Sequence, residues 1–378
     1  MGAQMMRGKY VIAGIGNTAF GKLGLDTVTL NVMACKAALE DAGVDKVDVD
    51  ALLLKTPTSA KEILYGQKVA QAMGMQPRWG GAWDQGGAAN LTLINIAMMA
   101  IETGQCEIAL VSYADNPRSG NRQVYGRPRG NDAAYGWFST AAGYGMIHRA
   151  HVAQYQTDPR AFGEFAIAVR KHGAQNPNAQ LQKAISMDDY LASAWVVDPL
   201  RRDDCCLVSD GAAAVVVMSA EKARQLQVRE PVPILGIGGA QESYDVHLRP
   251  CLTTTQAARS AKLAFEMAGV KPADISVAQI YDCFTITGLM TLEDYGFCDK
   301  GGVYEFVRDG QIQHGGRLPV NTSGGLLSET GTPGLPLVLE AVRQVRGSAN
   351  LQVPDVRYSL VSNQGGTMHT HATMILGA

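Results

Sequence analysis

The chain is short of the features that would place it in several large classes. It has no Cys-x-x-Cys pair, and its seven cysteines (Cys35, Cys106, Cys205, Cys206, Cys251, Cys283 and Cys298) are odd in number and scattered over 378 residues. That argues against a disulfide framework and against a structural zinc site in this chain. It has no basic block, and its net charge of −2 leaves nothing to neutralise a nucleic-acid backbone or an anionic membrane surface. No apolar run approaches the roughly 18 residues of a membrane span. The N-terminus lacks a signal-peptide layout, since Met5-Met6 is followed by Arg7 and Lys9. A soluble, cytoplasmic protein is expected, with no membrane and no nucleic-acid partner.

What is present is an ordinary core-forming composition, 46% hydrophobic and 18% charged, with 42 glycines. Lys9 to Gly14 reads as a strand into a glycine turn. Gly14-Ile-Gly16 lacks the third glycine of a dinucleotide loop, so it supports no dehydrogenase. An amphipathic helix is expected over Thr27 to Ala42, stopped by Gly43, then a strand over Asp50 to Lys55 and a helix over Lys61 to Met73. Asn90 to Glu102 is apolar around most of its circumference, which predicts a helix buried on nearly all sides. Glu107 to Tyr113 and Ala212 to Met218 suit central strands. Between them, residues 116–202 turn polar and glycine-rich, then helical over Arg149 to Gln156 and Pro159 to Ala174, which predicts an insertion covering the core.

The second part repeats the first. Val11-Ile-Ala-Gly-Ile-Gly16 resembles Ile234-Leu-Gly-Ile-Gly238, and Lys36-Ala-Ala-Leu-Glu-Asp-Ala-Gly-Val44 matches Lys262-Leu-Ala-Phe-Glu-Met-Ala-Gly-Val270. Ala97 to Gly104 with Leu110-Val-Ser112 matches Ala341 to Gly347 with Leu360-Val-Ser362. An α/β fold follows, with an N-terminal half over 1–232, a C-terminal half over 233–378, and two sheets packed through shared central helices.

Three stretches end apolar runs in polar or glycine residues, where ligands meet an α/β sheet. They are Tyr281-Asp-Cys-Phe-Thr285, Val320-Asn-Thr-Ser-Gly-Gly325, expected to open a helix, and Ser362-Asn-Gln-Gly-Gly366 leading to His369 and His371. One pocket built from all three is expected. His369 and His371 alternate at period two and would share a strand face, either towards the pocket or in structural hydrogen bonds. A metal there is not expected. His148 and His151 are read as exposed helix surface, with one facing substrate as the alternative.

The repeat, Asp204-Cys-Cys-Leu-Val-Ser-Asp-Gly-Ala-Ala-Ala214, Tyr281-Asp-Cys-Phe-Thr285 and Asn321-Thr-Ser-Gly-Gly-Leu-Leu-Ser328 resemble the thiolase superfamily, in its sterol carrier protein X-type, lipid-transfer-protein-like branch. The resemblance covers almost the whole chain, including His172 to Pro177. It implies a five-layered αβαβα fold, a homodimer and coenzyme A thioesters as substrates, with no cofactor held by the chain. The family's nucleophilic cysteine would fall at Gly87, to within one residue, in Asp84-Gln-Gly-Gly-Ala-Ala-Asn90, which has neither Cys nor Ser. Gly331 stands where the family has a catalytic histidine, and Asn363 where it has a second cysteine.

These departures resemble the steroid side-chain-cleaving aldolases, which carry Tyr-Asp-x-Phe-Thr, lack the cysteine, and work beside a small zinc-ribbon/OB-fold subunit. That resemblance implies a heterotetramer, with any zinc in the partner, and retro-aldol cleavage of a 3-hydroxyacyl-CoA. Thr330 stands where that branch has a second tyrosine. The expected catalytic set is Tyr281 as acid/base, His369 or His371 as partner donor, and Thr330 in the second acid/base place. Asp282, Ser323, Gly324, Gly325, Asn363, Gly365 and Gly366 would bind substrate, and Asp282, Thr285 and Glu329 also read as loop-structuring groups. A relocated nucleophile at Cys283, giving an acyltransferase, and a non-catalytic acyl-CoA-binding scaffold remain as alternatives.

Overall fold

The computed structural model describes residues 6–60, 62–126, 130–244 and 246–377. The N-terminal half runs β1 (Tyr10–Asn17), α1 (Thr27–Ala42), β2 (Ala51–Lys55), α2 (Tyr65–Met73), β3 (Trp79–Trp83), α3 (Ala89–Glu102) and β4 (Ile108–Asp115). The insertion carries α4 (Thr140–Tyr155), α5 (Arg160–Gly173), α6 (Met187–Ala192) and the short hairpin β5 (Trp195–Val197) with β6 (Leu200–Arg201). Next come β7 (Gly211–Ser219), α7 (Ala220–Gln225), β8 (Val232–Gln241), α8 (Ala257–Ala268), β9 (Val277–Gln279), α9 (Thr285–Asp294), α10 (Val303–Val307), α11 (Leu335–Arg346), β10 (Tyr358–Gly365) and β11 (Thr370–Gly377).

The nine long strands lie in the order β3-β2-β4-β7-β1-β8-β11-β10-β9. The two half-sheets are not separate. They join where Val11 and Ile12 pair with Pro233 and Val232. Helices α3 and α11 each pack on strands of both halves, so the sheet wraps around them as a shared central layer. Helix α1 covers β1 and β7 on one outer face, and α8 covers β8 and β11 on the other. The five layers follow from this arrangement.

The repeated glycines explain how those outer helices sit so close. β1 does not turn at Gly14 but continues to Asn17. A methyl group on Gly14 or Gly16 would run into the backbone carbonyl oxygens of Ala38 or Ala34 in α1, and one on Gly236 or Gly238 into those of Ala264 or Ser260 in α8. The Gly-x-Gly pattern is therefore a strand-to-helix contact surface, made twice. α1 begins where the Asp26 side chain accepts from the Thr29 N–H and ends at Gly43 in the left-handed region.

Two elements differ from the sequence reading, as does the burial of a histidine pair. Lys61 lies outside the described residues, and α2 starts at Tyr65, after Leu64 in the left-handed region at φ 56°. α4 begins at Thr140 rather than near Arg149, capped by the Ser139 hydroxyl. Its first turns are glycine-rich because Gly143 must clear the Trp137 ring. His148 and His151 are not exposed surface: they are 6% and 0% exposed. His148 stacks on Phe162 at 3.8 Å, while His151 lies between Thr157 Oγ1 and Glu293 Oε2, each at 2.8 Å. These contacts dock α4 onto α5 and α9, which no local pattern announces.

Candidate functional site

The first and third loops meet at the amino terminus of α3, and the second packs against the first. The chain leaves β9 at Gln279 and turns at Ile280, whose N–H donates to Asn321 Oδ1 at 2.6 Å. The next N–H, of Tyr281, donates to Ser362 Oγ at 2.9 Å, which ties the first loop to the third. The Tyr281 ring is 6% exposed and ends against Gly87. A methyl group on Gly87 would lie 2.5 Å from the Tyr281 hydroxyl and 2.7 Å from its Cε2, and would overlap the Gln364 carbonyl oxygen. The phenol thus fills the space a side chain at Gly87 would need. It stands at the positive end of a 14-residue helix, which favours an anion there.

The neighbouring loop residues split into two groups. Asp282 is fully buried, and its carboxylate accepts from the Leu326 N–H at 2.7 Å and the Leu327 N–H at 3.4 Å. Burial raises its pKa to about 7, partly offset by those donors. Asp282 anchors the single π-type turn Gly325–Glu329, so the stretch after Val320 opens one turn rather than a long helix. Gly324 and Gly325 allow close packing there: a side chain would meet Gly173 of α5 at the first and the Asp282 carboxylate at the second. Ser323 Oγ donates to Glu329 Oε2 at 2.6 Å, and burial also lifts Glu329 to about 7. Thr330 Oγ1 accepts from the Thr332 N–H at 3.0 Å, within the same loop. Thr285 donates to Asp204 Oδ1 at 2.6 Å. These contacts hold the loop together from inside.

The second group links the first and third loops to the start of α3. Gln364 Nε2 reaches Cys283 Sγ at 2.9 Å and the Tyr144 hydroxyl at 2.8 Å, and Tyr144 in turn donates to the Gly366 carbonyl at 2.7 Å. Burial pushes the Cys283 thiol up to about 12, the reverse of what an activated nucleophile needs. A methyl group on Gly86 would sit 2.7 Å from Gly365 Cα and 2.9 Å from Gly366 N, so the third loop rests directly on the α3 loop. Asn363 and Asn90 are both fully buried where α3 and α11 start. Asn90 donates to the Pro333 carbonyl at 2.9 Å, and Asn363 to the Ser362 carbonyl at 2.8 Å. Neither side-chain oxygen finds a hydrogen-bond donor.

The histidine pair divides. β11 begins at Thr370, so His369 belongs to the preceding turn, packed edge-on against Tyr244 at 5.8 Å, and the two rings do not share a strand face. His371 is inside the sheet with Nε2 2.9 Å from the Tyr295 hydroxyl, which also meets Thr373 at 2.6 Å. Burial lowers the His371 pKa to about 3, so it stays neutral at any working pH. That ring belongs to the contact between β11 and α9. Gly331 offers no room for a histidine, since a side chain would overlap the Leu207 carbonyl oxygen.

Tyr144, Gln364 and Asn90 are site residues the sequence reading missed. Gln364 lay inside a flagged loop. Tyr144 lay 222 residues from the carbonyl it binds, with no local signal. Beside the site, a cavity of about 280 Å³ lies between α3 and strands β8 and β11, lined in part by Gln85, Thr92, Asn95, Gln241 and Thr370; Tyr281 does not line it. Among the described residues no cluster of three or more His, Cys, Asp or Glu is arranged to hold a metal, and no helix is long and apolar enough to cross a membrane.

Comparison with known proteins adds the following. The family model described as the thiolase N-terminal domain matches residues 10–221, and the thiolase C-terminal domain-like model matches 238–378. The chain is 36% identical to a steroid side-chain-cleaving aldolase of Thermomonospora curvata over 99% of both chains. It is also 36% identical to a 17-hydroxy-3-oxo-4-pregnene-20-carboxyl-CoA lyase of Mycobacterium tuberculosis, over 99% of this chain and 100% of that one. Among solved structures it resembles an Ltp2-ChsH2(DUF35) aldolase, with a TM-score of 0.89 and 35% identity over 99% of this chain and 98% of that one.

Proposed function

This chain belongs to the thiolase family, and we propose that it is a carbon–carbon lyase of that family, cleaving a 3-hydroxyacyl-CoA by retro-aldol reaction without a covalent intermediate. The observation that carries this reading is the Tyr281 phenol lodged against Gly87. It puts an acid/base group at the α3 amino terminus and leaves no room for a thiol there. In the reaction, a base takes the proton of the 3-hydroxyl. The C2–C3 pair then moves onto the thioester to give its enolate, a carbonyl compound departs, and C2 is protonated. Tyr281 serves as the acid/base, and the positive end of α3 stabilises the phenolate or the enolate oxygen. Two similar proteins whose names specify a lyase or aldolase, each aligned over nearly their full length, support the same reading. Asn363, Gly365 and Gly366, on the loop that rests on Gly86, are the substrate-facing part of the third loop in this reading. Asp282, Ser323, Gly324, Gly325 and Thr330 act by shaping the second. His369, buried in the turn beside Gly366, is the histidine kept as partner donor in this reading.

The test is incubation with 3-hydroxyacyl-CoAs that carry bulky apolar groups, followed by mass spectrometry. The expected result is a shortened acyl-CoA and a ketone or aldehyde, formed without added free CoA. Cleavage only of 3-oxoacyl-CoAs, and only with free CoA, would instead identify a thiolase.

A homodimer is part of the proposal. Strand β3 is a sheet edge, and its outward residues Gly80, Ala82 and Trp83 are exposed. The neighbouring face of α3 leaves Met99 48% exposed, although the helix is apolar nearly all round. A second copy pairing along β3 would cover both. Light scattering is expected to give twice the 40.3 kDa chain mass, and Met99→Lys to shift it towards the monomer; an unchanged dimer in that variant places the interface elsewhere. A small zinc-ribbon/OB-fold subunit completes the proposed heterotetramer. Its support is the ChsH2(DUF35) component named with the similar aldolase, together with exposed Leu191, Trp195 and Val196 on the insertion.

A further inference from the structure

The turn at residues 366–369 is an awkward piece of backbone that other parts of the chain hold in place. Gly366 has φ 64° and Met368 has φ 62°. Met368 is a fully buried residue in a region that side-chain-bearing residues avoid. Such a conformation persists only where its surroundings over-determine it. Three of the turn's carbonyl oxygens are captured from a distance. Tyr144 donates to that of Gly366 at 2.7 Å, Arg249 Nη1 to that of Thr367 at 3.1 Å, and the Glu242 N–H to that of His369 at 2.9 Å.

The last two captures are one device. The Arg249 side chain is fully buried, with Nε 2.8 Å from Glu242 Oε1. Its other terminal nitrogen reaches the Thr254 carbonyl at 3.4 Å, while Gln256 Nε2 holds Glu242 Oε2 at 3.1 Å. A buried arginine is expensive unless paired; this one sets its charge beside the Glu242 carboxylate and donates from its two terminal nitrogens to two carbonyls. Arg249 and Glu242 therefore grip the turn on both sides of Met368, from the segment that links β8 to α8. On the opposite side, the turn's base at Gly365 and Gly366 lies against the Gly86 backbone, one residue before the glycine that meets Tyr281.

We propose that Arg249 is a positioning residue: by fixing the 366–369 turn against the α3 loop, it sets the distance between the Tyr281 hydroxyl and the reacting carbon–carbon bond. This rests on the lyase reading above. Arg249 donates to the Thr367 and Thr254 carbonyls, so its effect on the chemistry passes through the turn and is read in kcat. Displacement of a positioned group by about an ångström can cost on the order of 100-fold in rate. Lysine keeps the charge but cannot span the carboxylate and two carbonyls.

The experiment uses the full-length protein, with its partner subunit if the two co-purify. Arg249→Lys is expected to lower kcat by about 10- to 100-fold with KM within about threefold, and amide exchange of residues 366–369 is expected to quicken while the bulk of the chain exchanges as in the parent. A kcat within twofold of the parent, or unchanged exchange in the turn, overturns the proposal. If Arg249→Lys does not fold, Arg249→Met/Glu242→Met removes both buried charges together and is read by the same two measurements. If the parent protein cleaves no 3-hydroxyacyl-CoA, the lyase reading fails by itself; exchange in the turn then still decides whether Arg249 holds it.

Discussion

Tyr281→Phe is expected to lower kcat for 3-hydroxyacyl-CoA cleavage by about 100- to 1,000-fold, in the lower part of the roughly 100- to 10,000-fold that general acid–base groups contribute. That corresponds to about 3–4 kcal/mol of lost transition-state stabilisation. The substitution is clean because it deletes one oxygen. The ring still fills the space beside Gly87, and the backbone N–H still donates to Ser362. Folding should therefore change little, as a circular-dichroism melt would show. KM should also change little if the hydroxyl acts in the chemical step rather than in binding. Cys283→Ala is the matched control. Its thiol is buried, with its pKa pushed up to about 12, so activity should stay within a few-fold and no acyl-cysteine should be trapped. A Tyr281→Phe protein as active as the parent sinks the acid/base role. Loss of activity in Cys283→Ala together with a trapped acyl-enzyme would move the chemistry to that sulfur. If neither variant changes a measured property of the protein or its complex, the scaffold alternative is favoured.

The grouping of the first and third loops was readable from the apolar runs that lead into them, and the structure ties them together where the Tyr281 N–H donates to Ser362. That residues 84–90 contain neither Cys nor Ser was also readable. That Tyr281 fills the space beside Gly87 was not, because the two residues are far apart in sequence and meet only through tertiary packing. The histidines show the opposite case. Period-two spacing put His369 and His371 on one strand face, but Met368 adopts φ 62° and the strand starts only at Thr370. A non-glycine residue in that region carries no local signature. The buried polar groups that tie the insertion to the core (Tyr144, His151 and Arg170 with Asp203) escaped for the same reason. Alone in sequence each looks like helix surface, and only its distant partner explains its burial.

Gly87→Cys, which restores the thiolase residue, is expected to destabilise the protein and abolish lyase activity without creating an acyltransferase. The new Cβ would stand 2.5 Å from the Tyr281 hydroxyl and would overlap the Gln364 backbone carbonyl. The phenol can rotate only by leaving its place at the α3 amino terminus. The carbonyl belongs to β10, where Gln364 pairs with His371, so it cannot yield without shifting the sheet. Overpacking of this kind typically costs about 1–3 kcal/mol. Even a cysteine accommodated there would lack its base, because a histidine at Gly331 would overlap the Leu207 carbonyl. The two departures from the thiolase pattern are thus held in place by backbone, and the chemistry cannot be reversed at a single residue. Urea unfolding should show the loss in Gly87→Cys, with partial recovery in Gly87→Cys/Tyr281→Ala, where the ring no longer competes for the space but the Gln364 carbonyl still does. With Tyr281→Ala as the fourth protein, the cycle isolates the contact between the two positions. Equal stability of parent and Gly87→Cys, with the new thiol acylated by acetyl-CoA, would show that the phenol and the thiol can share this pocket, and would remove the steric basis for assigning catalysis to Tyr281.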